Sequence, residues 1–329
     1  GKVSLTESKL EGPFGDHFGH YSAASKFPVF RLNAITHRRY PVYPGTVVGR
    51  PPMEDKFLGN ATQQILGPLI RLIHPEIKSL WAYYEAGFHN LLVVEIEERY
   101  AKEAVKTAMS LMGEGQLSLT KCIVTVSGGV NPKDLNAVLR EVRENFDPHY
   151  DFIMIPKVPL DTLDFTSYKM NLGSKMVIDA CCKKRPNNNS QITDRYSQLV
   201  VDKTKNSDGR IIDANFIVNS LLIVKVTSGG KEVIEKLLKH PEFQAVKIIA
   251  AVSEDVDIHD KENYVWGIFT RFDCERDVIF AEQKLVGISP VYSGVMGIDA
   301  TWKQGYQKPL SMDERIVKLV DAKWDRIWK

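Results

Sequence analysis

The sequence predicts a protein of mixed α+β and α/β class, in which a β-rich start is followed by two repeated α/β modules with mainly parallel sheets and a C-terminal helix. Three observations lead to this prediction. Residues 1–60 contain short alternating runs broken by Gly and Pro, which is typical of β-structure. A strand-and-helix pattern then occurs twice at a constant spacing. Residues 311–329 carry apolar side chains at helical spacing.

The two modules are predicted from an internal repeat. Residues 121–127 (Lys-Cys-Ile-Val-Thr-Val-Ser) recur as residues 247–253 (Lys-Ile-Ile-Ala-Ala-Val-Ser), and later positions match without a gap. Residues 123–126 and 152–155 are almost entirely apolar. Because strands covered on both faces have this composition, each module should contain a parallel βαβ unit.

A helix should follow the repeated strand in each module. Asn131, with Pro132 after it, is expected to cap the first of these helices, and Asp257 the second. Between the modules, residues 186–189 (Pro-Asn-Asn-Asn) are typical of a loop. The predicted domains are listed in chain order: a β-rich domain at 1–60, the first α/β module at 61–185, a linker at 186–210, the second module at 211–310 and a docking helix at 311–329.

The predicted C-terminal helix begins after Ser311 and has Glu314 as its capping partner. Its apolar residues fall on one face and are Ile316, Leu319, Val320, Trp324 and Ile327. A stripe of this kind needs a surface that covers it. We therefore expect the helix to dock against the core of its own chain or against a neighbouring subunit.

Composition excludes several classes of function. The 43 basic and 41 acidic residues nearly balance and form no long block of one sign, so neither nucleic acid nor an anionic membrane is indicated as a partner. No apolar run could span a membrane and no signal peptide is present. The four cysteines include no C-x-x-C pair, which argues against a zinc site or a disulfide framework. A cytoplasmic protein is the expectation.

The most informative local motif is residues 11–21 (Glu-Gly-Pro-Phe-Gly-Asp-His-Phe-Gly-His-Tyr), which places two carboxylates five residues apart around a turn. Gly and Pro can fix the directions of Glu11 and Asp16 beside a ligand. Two close carboxylates push each other's pKa values apart, so that one acts as an acid while the other stays ionised. Acidic residues in such turns also form structural Asx-turns, and the spacing alone leaves both roles open.

The sequence of this turn resembles that of the UbiD-like decarboxylases that use prenylated FMN, which are of the 3-polyprenyl-4-hydroxybenzoate decarboxylase type. The resemblance covers nearly the whole chain. It continues, in order, through residues 27–30 (Phe-Pro-Val-Phe), 35–39 (Ile-Thr-His-Arg-Arg), 49–54 (Gly-Arg-Pro-Pro-Met-Glu), 159–164 (Pro-Leu-Asp-Thr-Leu-Asp), 173–180 (Gly-Ser-Lys-Met-Val-Ile-Asp-Ala) and 320–325 (Val-Asp-Ala-Lys-Trp-Asp).

The resemblance implies a fold, a reaction and cofactors. Residues 1–60 would be the second half of a flavin-reductase-like split β-barrel. The activity would be non-oxidative decarboxylation of an aromatic hydroxy acid, of polyprenyl-hydroxybenzoate or naphthoate type, in ubiquinone or menaquinone biosynthesis. The cofactors would be prenylated FMN, a divalent metal (Mn²⁺ or Mg²⁺) and K⁺. In the family the metal ligands precede the turn, so this chain holds none of them.

The resemblance also implies partners and a location. The substrate would be a small aromatic carboxylic acid, a flavin prenyltransferase would supply the cofactor, and the protein would be a homo-oligomer. It would be cytoplasmic, or peripheral to a membrane for a polyprenyl substrate. Because the chain begins like the middle of a strand and lacks an initiating Met, we interpret it as a fragment of a longer enzyme. The alternative is a truncated protein that binds flavin poorly or not at all.

The resemblance assigns roles to named residues. Glu11 would deliver the proton to the product carbon, in an apolar setting that Phe14 and Phe18 could provide. Asp16 would tune Glu11, and Lys175 would contact the flavin phosphate. His17 would face the substrate, although a solvated hydrogen-bonding role is the commoner one for such a histidine. The alternative for Lys175 is that it is a surface lysine before a buried strand, with no role in a site.

The second module should lack a site of its own, because Val295 stands at the position of Lys175. Two other motifs are assigned structural roles. The acidic residues at 254–260 are expected to cap a helix, and the turn at 127–129 (Ser-Gly-Gly) to be a plain βα loop, because it lacks a full phosphate-binding pattern.

A non-catalytic assembly or scaffold protein of the same fold is the competing hypothesis, with the duplicated module forming contacts between subunits. Hydride transfer in a flavin-reductase-like barrel is disfavoured, because no nicotinamide-binding fingerprint follows any strand.

Overall fold

The computed structural model describes residues 1–167, 169–181 and 194–327. These residues form two compact units. The hairpin unit comprises Gly1–Phe57 and the described residues from Gln307 onward, and the double-sheet unit comprises the described part of Leu58–Tyr306.

The regular elements are given in chain order. The strands are β1 (Lys2–Glu11), β2 (Ser25–Arg31), β3 (Ile77–Ala82), β4 (Leu92–Ile96), β5 (Cys122–Ser127), β6 (Phe152–Val158), β7 (Gly173–Asp179), β8 (Ile211–Ile217), β9 (Leu221–Val226), β10 (Ile248–Ser253), β11 (Val278–Val286) and β12 (Ser289–Ala300). The helices are α1 (Asp55–Ile73), α2 (Glu103–Leu111), α3 (Leu135–Asn145), α4 (Pro148–Asp151), α5 (Asp194–Ser207), α6 (Gly230–Leu238), α7 (Lys261–Phe269), α8 (Glu314–Asp321) and α9 (Trp324–Ile327).

The double-sheet unit contains two five-stranded sheets with the same strand order. The first is ordered β3-β4-β5-β7-β6 and the second β8-β9-β10-β12-β11. In each sheet the three central strands are parallel and both edge strands are antiparallel to their neighbours. The fold is therefore mixed α/β with sheets of mixed direction, and no closed barrel occurs within the described ranges.

The prediction of mainly parallel sheets was therefore wrong for the edge strands, which run antiparallel to their neighbours. Strands β4 and β5 are parallel because helix α2 carries the chain back between them, as are β9 and β10 around α6. Strand β6, which contains residues 152–155, is instead an edge strand antiparallel to β7. Strands joined directly, without a crossover helix, run antiparallel. The apolar composition at 152–155 could not distinguish these arrangements.

One apolar core joins the two sheets through helices α3 and α7. Helix α3 contributes Leu139 and Val142, and helix α7 contributes Val265 and Ile268, all of them buried in the same cluster. Each helix follows the central strand of its own sheet, β5 or β10. Burying these faces is a main source of stability for the unit, at about 25 cal/mol per Å² of apolar surface.

Two lysines at equivalent positions of the repeat make matching contacts between the sheets. Lys121 Nζ donates to the carbonyl oxygen of Phe272 at 2.9 Å. Lys247 Nζ donates to the carbonyl oxygen of Phe146 at 3.0 Å. The two halves of the unit therefore contact each other in a reciprocal way, as the two copies in a two-fold dimer do.

Both predicted helix caps lie three residues too early. Asp134 caps helix α3, its Oδ1 accepting the amide of Asn136 at 3.0 Å. Asp260 caps helix α7 in the same way, through the amide of Asn263 at 3.0 Å. Asn131 instead accepts the amide of Lys133 in the preceding turn. Each turn has several capping residues, and the sequence could not decide between them.

Part of the predicted linker is helical. Residues 186–193 lie outside the described residues, whereas residues 194–207 form helix α5. Val200 is fully buried on the second sheet, with Tyr196 and Val201 packed beside it. The polar composition of the segment hid this narrow apolar face.

The predicted C-terminal helix is formed by α8 and α9, with Asp313 as the N-cap of α8. Its apolar side chains are exposed in this structure: 51% for Ile316, 50% for Leu319 and 53% for Trp324. Docking of this face on another surface stays a prediction. None of the helices in the described part of the chain combines the length and apolar character needed to cross a bilayer.

Candidate functional site

The turn at residues 11–21 is a closely bonded hairpin in the hairpin unit. Strand β1 ends at Glu11, which pairs with Ser25 of β2. The amide of Asp16 donates to the carbonyl of His20 at 3.0 Å, and the amide of Gly19 donates to the carbonyl of Asp16 at 3.0 Å. Gly19 has a φ of 73°, a backbone conformation that a glycine adopts without strain. The turn therefore has a fixed shape.

The segment at 307–310 packs against this turn and fixes it further. The amide of Tyr21 donates to the carbonyl of Lys308, and the amide of Leu310 donates to the carbonyl of Gly19, both at 2.9 Å. A Cβ at Gly15 would lie 3.0 Å from Leu310 Cδ1. A side chain at this position would therefore require the Leu310 side chain to shift by a few tenths of an ångström.

The two predicted carboxylates have different environments. Asp16 is buried, and its Oδ1 accepts the amide of Phe18 at 2.9 Å. It therefore forms an Asx-turn, one of the two roles that the spacing had left open. Glu11 is exposed. Of the two phenylalanines expected to give Glu11 an apolar setting, Phe18 is 1% exposed and Phe14 is 55% exposed.

His17 lies in the same turn and is partly exposed. Its ring packs on Phe18 with 4.2 Å between the centroids. It also lies close enough to Asp55, at the start of helix α1, to affect that carboxyl: burial and the neighbouring Glu54 raise the pKa of Asp55, and His17 opposes this shift. Glu11, Asp16 and His17 thus all belong to the hairpin unit.

Lys175 lies in the double-sheet unit, on strand β7. It is not a surface lysine, because it is only 2% exposed. Its Nζ donates to the carbonyl oxygen of Ser118, and burial lowers the pKa of Lys175 to about 8. Among the residues that the structure describes, no carboxylate lies within ion-pairing distance of Nζ. A buried ammonium normally has a counter-ion, as Lys121 has in Asp164 at 3.0 Å.

Lys175 lies at the edge of the first sheet where the parallel strands begin. The amide of Lys121 donates to the carbonyl of His89 at 2.7 Å, and the amide of Met176 donates to the carbonyl of Lys121 at 2.9 Å. His89, Lys121 and Lys175 therefore lie on neighbouring strands or just before them. We call this the amino edge of the first sheet.

A histidine–aspartate pair at the amino edge was not found by sequence reasoning. His89 Nδ1 lies 2.5 Å from Asp161 Oδ2. Asp161 is held in turn by the amide of Leu163, which donates to Oδ1 at 2.9 Å. Residue 161 lies in the motif at 159–164, which could have drawn attention to it. His89 carried no local signal.

The opposite edge of the first sheet has an open cleft of about 510 Å³. The turn at 127–129 forms part of its wall, together with Glu95 and Lys78. The amide of Gly129, which a bound phosphate would need, already donates to Glu95 Oε1 at 2.8 Å. This geometry fits the predicted plain βα loop, and an anion would be repelled by the carboxylate.

The chain matches two protein-family models. The model described as 3-octaprenyl-4-hydroxybenzoate carboxy-lyase C-terminal domain matches residues 56–180 and 213–300. The model described as the Rift-related domain of the same carboxy-lyase matches residues 1–51. Together the two models cover most of the sequence.

Curated relatives match over most of the chain as well. A protein of Chlamydia pneumoniae, named as a subunit of 4-hydroxybenzoate decarboxylase, is 33% identical over 98% of this chain and 54% of its own length. An uncharacterised protein of Chlamydia trachomatis matches with the same identity and coverage. An uncharacterised protein of Archaeoglobus fulgidus is 45% identical over 56% of this chain and 38% of its own length. The chain thus spans about half the length of the chlamydial relatives, and less of the archaeal one.

Among solved structures, the closed form of the vanillic acid decarboxylase of Sedimentibacter hydroxybenzoicus is similar to this chain. It aligns with a TM-score of 0.52 and 23% sequence identity, over 62% of this chain and 44% of that one. At this identity the similarity concerns the fold.

Proposed function

This chain belongs to the UbiD family of carboxy-lyases, and we propose that it acts in the non-oxidative decarboxylation of an aromatic hydroxy acid with prenylated FMN as cofactor. The substrate is of the polyprenyl-hydroxybenzoate or naphthoate type, used in quinone biosynthesis. The family description and the name of the Chlamydia pneumoniae relative support this substrate class. When bound, the cofactor supplies the electron sink for the negative charge that departing carbon dioxide leaves on carbon.

The observation that carries the proposal is the buried ammonium group of Lys175. The group is desolvated and has a lowered pKa, and within the described ranges its hydrogen-bond partner is a backbone carbonyl, that of Ser118. A phosphate at this position would supply the missing negative charge, and buried charges are stable when they are paired in this way. The chemistry of the site therefore fits the phosphate of a flavin nucleotide.

Glu11 is the proposed proton donor to the product carbon. Its position is fixed by the register of β1 and β2 and by the closely bonded turn that follows. The carboxylate of Asp16 accepts the backbone amide of Phe18 at 2.9 Å and is thereby engaged in the turn, so Glu11 is the carboxyl assigned to proton transfer. In this proposal the substrate binds beside Phe14 and covers Glu11, which is exposed in this structure. His17 is a substrate contact in this proposal.

Strands β1 and β2 are part of a split β-barrel cofactor domain in this proposal, supported by the family model that matches residues 1–51. The second sheet belongs to a duplicated module without a site. Identical strand orders and the reciprocal lysine contacts support the duplication. Val295, which stands in place of Lys175, is buried and cannot bind an anion.

Other parts of the proposal come from the family resemblance. They are a divalent metal (Mn²⁺ or Mg²⁺) and K⁺ beside the cofactor, a flavin prenyltransferase that supplies it, and assembly as a homo-oligomer. The exposed apolar face of helix α8 supports the last of these, because a second subunit would cover it.

The test is a titration of the chain with FMN, followed by quenching of flavin fluorescence, for the unaltered protein and for Lys175→Met. Loss of a charge-assisted contact to phosphate should weaken binding by about 10- to 100-fold. Lys247→Met is the matched control, because Lys247 is a partly buried lysine in the other module whose pKa is also lowered by burial. FMN binding that is absent, or equal in both variants, would contradict the proposal and favour a scaffold protein of the same fold.

A further inference from the structure

We propose that the outer edge of strand β11 binds the same strand of a second copy of this chain. The two strands run antiparallel, and the two-fold axis between them passes through Gln283. The proposal rests on one part of the proposed function, the assembly as a homo-oligomer, and it names the surface that two copies share. It does not depend on the cofactor or on the proposed reaction.

The surface is part of an arm that extends from the second sheet. Strand β11 is at least partly buried from Val278 to Ala281 and exposed from Glu282 to Val286. Strands β11 and β12 have 9 and 12 residues, whereas the equivalent strands β6 and β7 of the first sheet have 7 each. The arm ends in an apolar tip, in which Leu285 is 71% and Ile288 is 97% exposed. The sheet of such a module therefore forms without the arm, which is available for contacts with another molecule.

The arm has a fixed direction because its root is packed. The ring of Phe280 on β11 lies against that of Tyr292 on β12, with 4.6 Å between the centroids. Both rings also contact Phe152 of strand β6, at 4.8 and 5.2 Å. An arm that is already ordered loses little conformational entropy when it docks, and this favours association.

The outer strand of the arm is regular. The irregularity in the hairpin lies on β12, where residues 294 and 295 together stand opposite Ala281. Gly294 has a φ of 78°, the left-handed conformation that glycine adopts in one common type of bulge. A bulge bends the strand that carries the extra residue. Strand β11 therefore keeps an even edge from Phe280 to Val286.

This edge presents backbone hydrogen-bonding groups to its surroundings. Strand β11 is the last strand of its sheet, and no other strand in the described part of the chain pairs with its outer side. In an antiparallel hairpin, opposite residues alternate between pairs that are hydrogen-bonded to each other and pairs that are not. Counted from the closing pair Val286–Ser289, Gln283 and Leu285 are in the second class, so their amides and carbonyls point outward. Pro290, opposite Leu285, fits this assignment because it has no amide to donate to β11.

The edge is complementary to a second copy of itself. Antiparallel pairing about Gln283 places Glu282 opposite Lys284 of the second copy, and the same ion pair forms again on the other side of the axis. Ala281 lies opposite Leu285 of the second copy, which covers part of the exposed leucine. All three outward-pointing residues then lie in hydrogen-bonded pairs, with about six main-chain hydrogen bonds in total.

The charges also select the register. An axis at Lys284 would place two lysines opposite each other, and an axis at Glu282 would place two carboxylates opposite each other. Like charges directly across a strand pair are destabilising. Both of these axes would also face each other with residues whose backbone groups are already bonded to β12. The axis at Gln283 avoids both conflicts.

The pairing joins two five-stranded sheets edge to edge into one continuous sheet. Its contact area is small, below the roughly 1,200 Å² that stable complexes bury, so we expect a dissociation constant on the order of 1–100 µM. The duplicated module thereby acquires a role in contacts between copies, although it has no ligand site of its own.

The first experiment is cross-linking of Gln283→Cys with a short bis-maleimide, read on a denaturing gel. The two thiols lie on the axis, where the Cα atoms of a hydrogen-bonded pair are about 5.5 Å apart, so the variant should be converted to a covalent dimer. The matched control is Ile212→Cys, which is 48% exposed on β8, at the opposite edge of the same sheet. It should give no more dimer than the unaltered protein.

The second experiment tests the ion pairs by sedimentation equilibrium at low ionic strength. Lys284→Glu and Glu282→Lys should each weaken dimerisation by about 10-fold, because each creates two like-charge pairs across the axis. The variant that carries both changes restores opposite charges and should dimerise nearly as well as the unaltered protein. Two weakened single variants without recovery in the double variant would contradict the pairing.

The third experiment uses the backbone itself. Gln283→Pro removes an outward-pointing amide and should abolish dimerisation while the hairpin remains, because proline is tolerated at an edge where its nitrogen faces outward. In the unaltered protein, hydrogen exchange at the amides of Gln283 and Leu285 should slow as protein concentration rises through the dissociation constant. Protection that is the same at all concentrations would overturn the proposal, because the edge would then be covered within one chain.

The outcomes separate this inference from the proposed function. If the protein is oligomeric but Gln283→Pro has no effect and Leu319→Glu on helix α8 dissociates it, the homo-oligomer stands and the β11 interface is wrong. A monomer at all concentrations, with no cross-linking of Gln283→Cys, also overturns the inference and leaves the edge to a strand of a different protein. Gln283→Pro should leave FMN binding unchanged, so failure of the Lys175 site is detected independently.

Discussion

Replacing Lys175 by Met should stabilise the protein at neutral pH and remove a pH dependence of its stability. Burial lowers the pKa of Lys175 from 10.5 to about 8, whereas the unfolded chain keeps the ordinary value. Below pH 8 both states carry the proton, and the folded state has the full cost of a buried charge. Between pH 8 and 10.5 the unfolded state binds more protons, so stability rises with pH.

The size of the effect follows from the same values. The gap between 10.5 and about 8 corresponds to about 3 kcal/mol, at about 1.36 kcal/mol per pKa unit. Met has a similar length without the charge, but it leaves the Ser118 carbonyl without its donor, which costs about 1–2 kcal/mol. We therefore expect Lys175→Met to raise the free energy of unfolding by about 1–2 kcal/mol at pH 7.

The assay is urea unfolding of both proteins at pH 7, 8, 9 and 10, followed by tryptophan fluorescence and far-UV circular dichroism. The difference between the two proteins cancels the contributions of other titrating groups, such as Lys247. It should favour the variant at pH 7, shrink as pH rises and reverse near pH 10. A difference that stays constant with pH, or a variant less stable by 2 kcal/mol or more at pH 7, would refute the reasoning.

Three further predictions concern stability and are measured by chemical or thermal unfolding. Gly267→Ala should destabilise the protein by about 1–3 kcal/mol, because the added Cβ would lie 2.5 Å from Val256 in the core. The control Gly67→Ala on helix α1 should be neutral or stabilising, because its Cβ would meet no atom within 4 Å. Equal effects of the two substitutions would contradict this prediction. Asp134→Ala should lower the free energy of unfolding by about 1 kcal/mol, because it removes the N-cap of helix α3, and Asn131→Ala should change it very little. The reverse order would show that Asn131 is the N-cap of this helix. Glu76 has a pKa lowered to about 2, since hydrogen bonds from Lys106 and Thr107 outweigh the opposing effect of burial. Glu76→Gln should therefore be less stable at pH 7, by a difference that disappears as pH falls from about 4.5 towards 2, and a difference unchanged over this range would be incompatible with that assignment.

The parts of the fold that depend on local pattern could be predicted from the sequence. The apolar run at 123–126 is the centre of strand β5, and its repeat lies in strand β10. Both follow from composition and spacing. The apolar stripe at the C-terminus was likewise recognised, and it forms helices α8 and α9.

The parts that depend on distant contacts could not be predicted. The direction of strand β6 is decided by which strand it pairs with, and its own composition is the same in either case. The Asx-turn of Asp16 depends on the hydrogen bond from the amide of Phe18 at 2.9 Å, which the spacing of the motif alone does not predict.

The candidate site also combines features that local sequence predicts with features that depend on distant contacts. The motif at 173–180 identified Lys175, but its burial and its lack of a counter-ion among the described residues are properties of the folded sheet. His89 and Asp161 lie 72 positions apart, and no local pattern relates them. Sequence reasoning therefore located single residues of the site, and the three-dimensional structure supplied their partners.

The most direct test of the central claim is decarboxylation by the protein reconstituted with prenylated FMN, using 4-hydroxybenzoate and measuring released carbon dioxide. Glu11→Gln should lower turnover by about 10²- to 10⁴-fold, the usual contribution of a positioned acid, while the affinity for FMN stays unchanged. Turnover that survives in Glu11→Gln would remove Glu11 from the acid role and contradict the account.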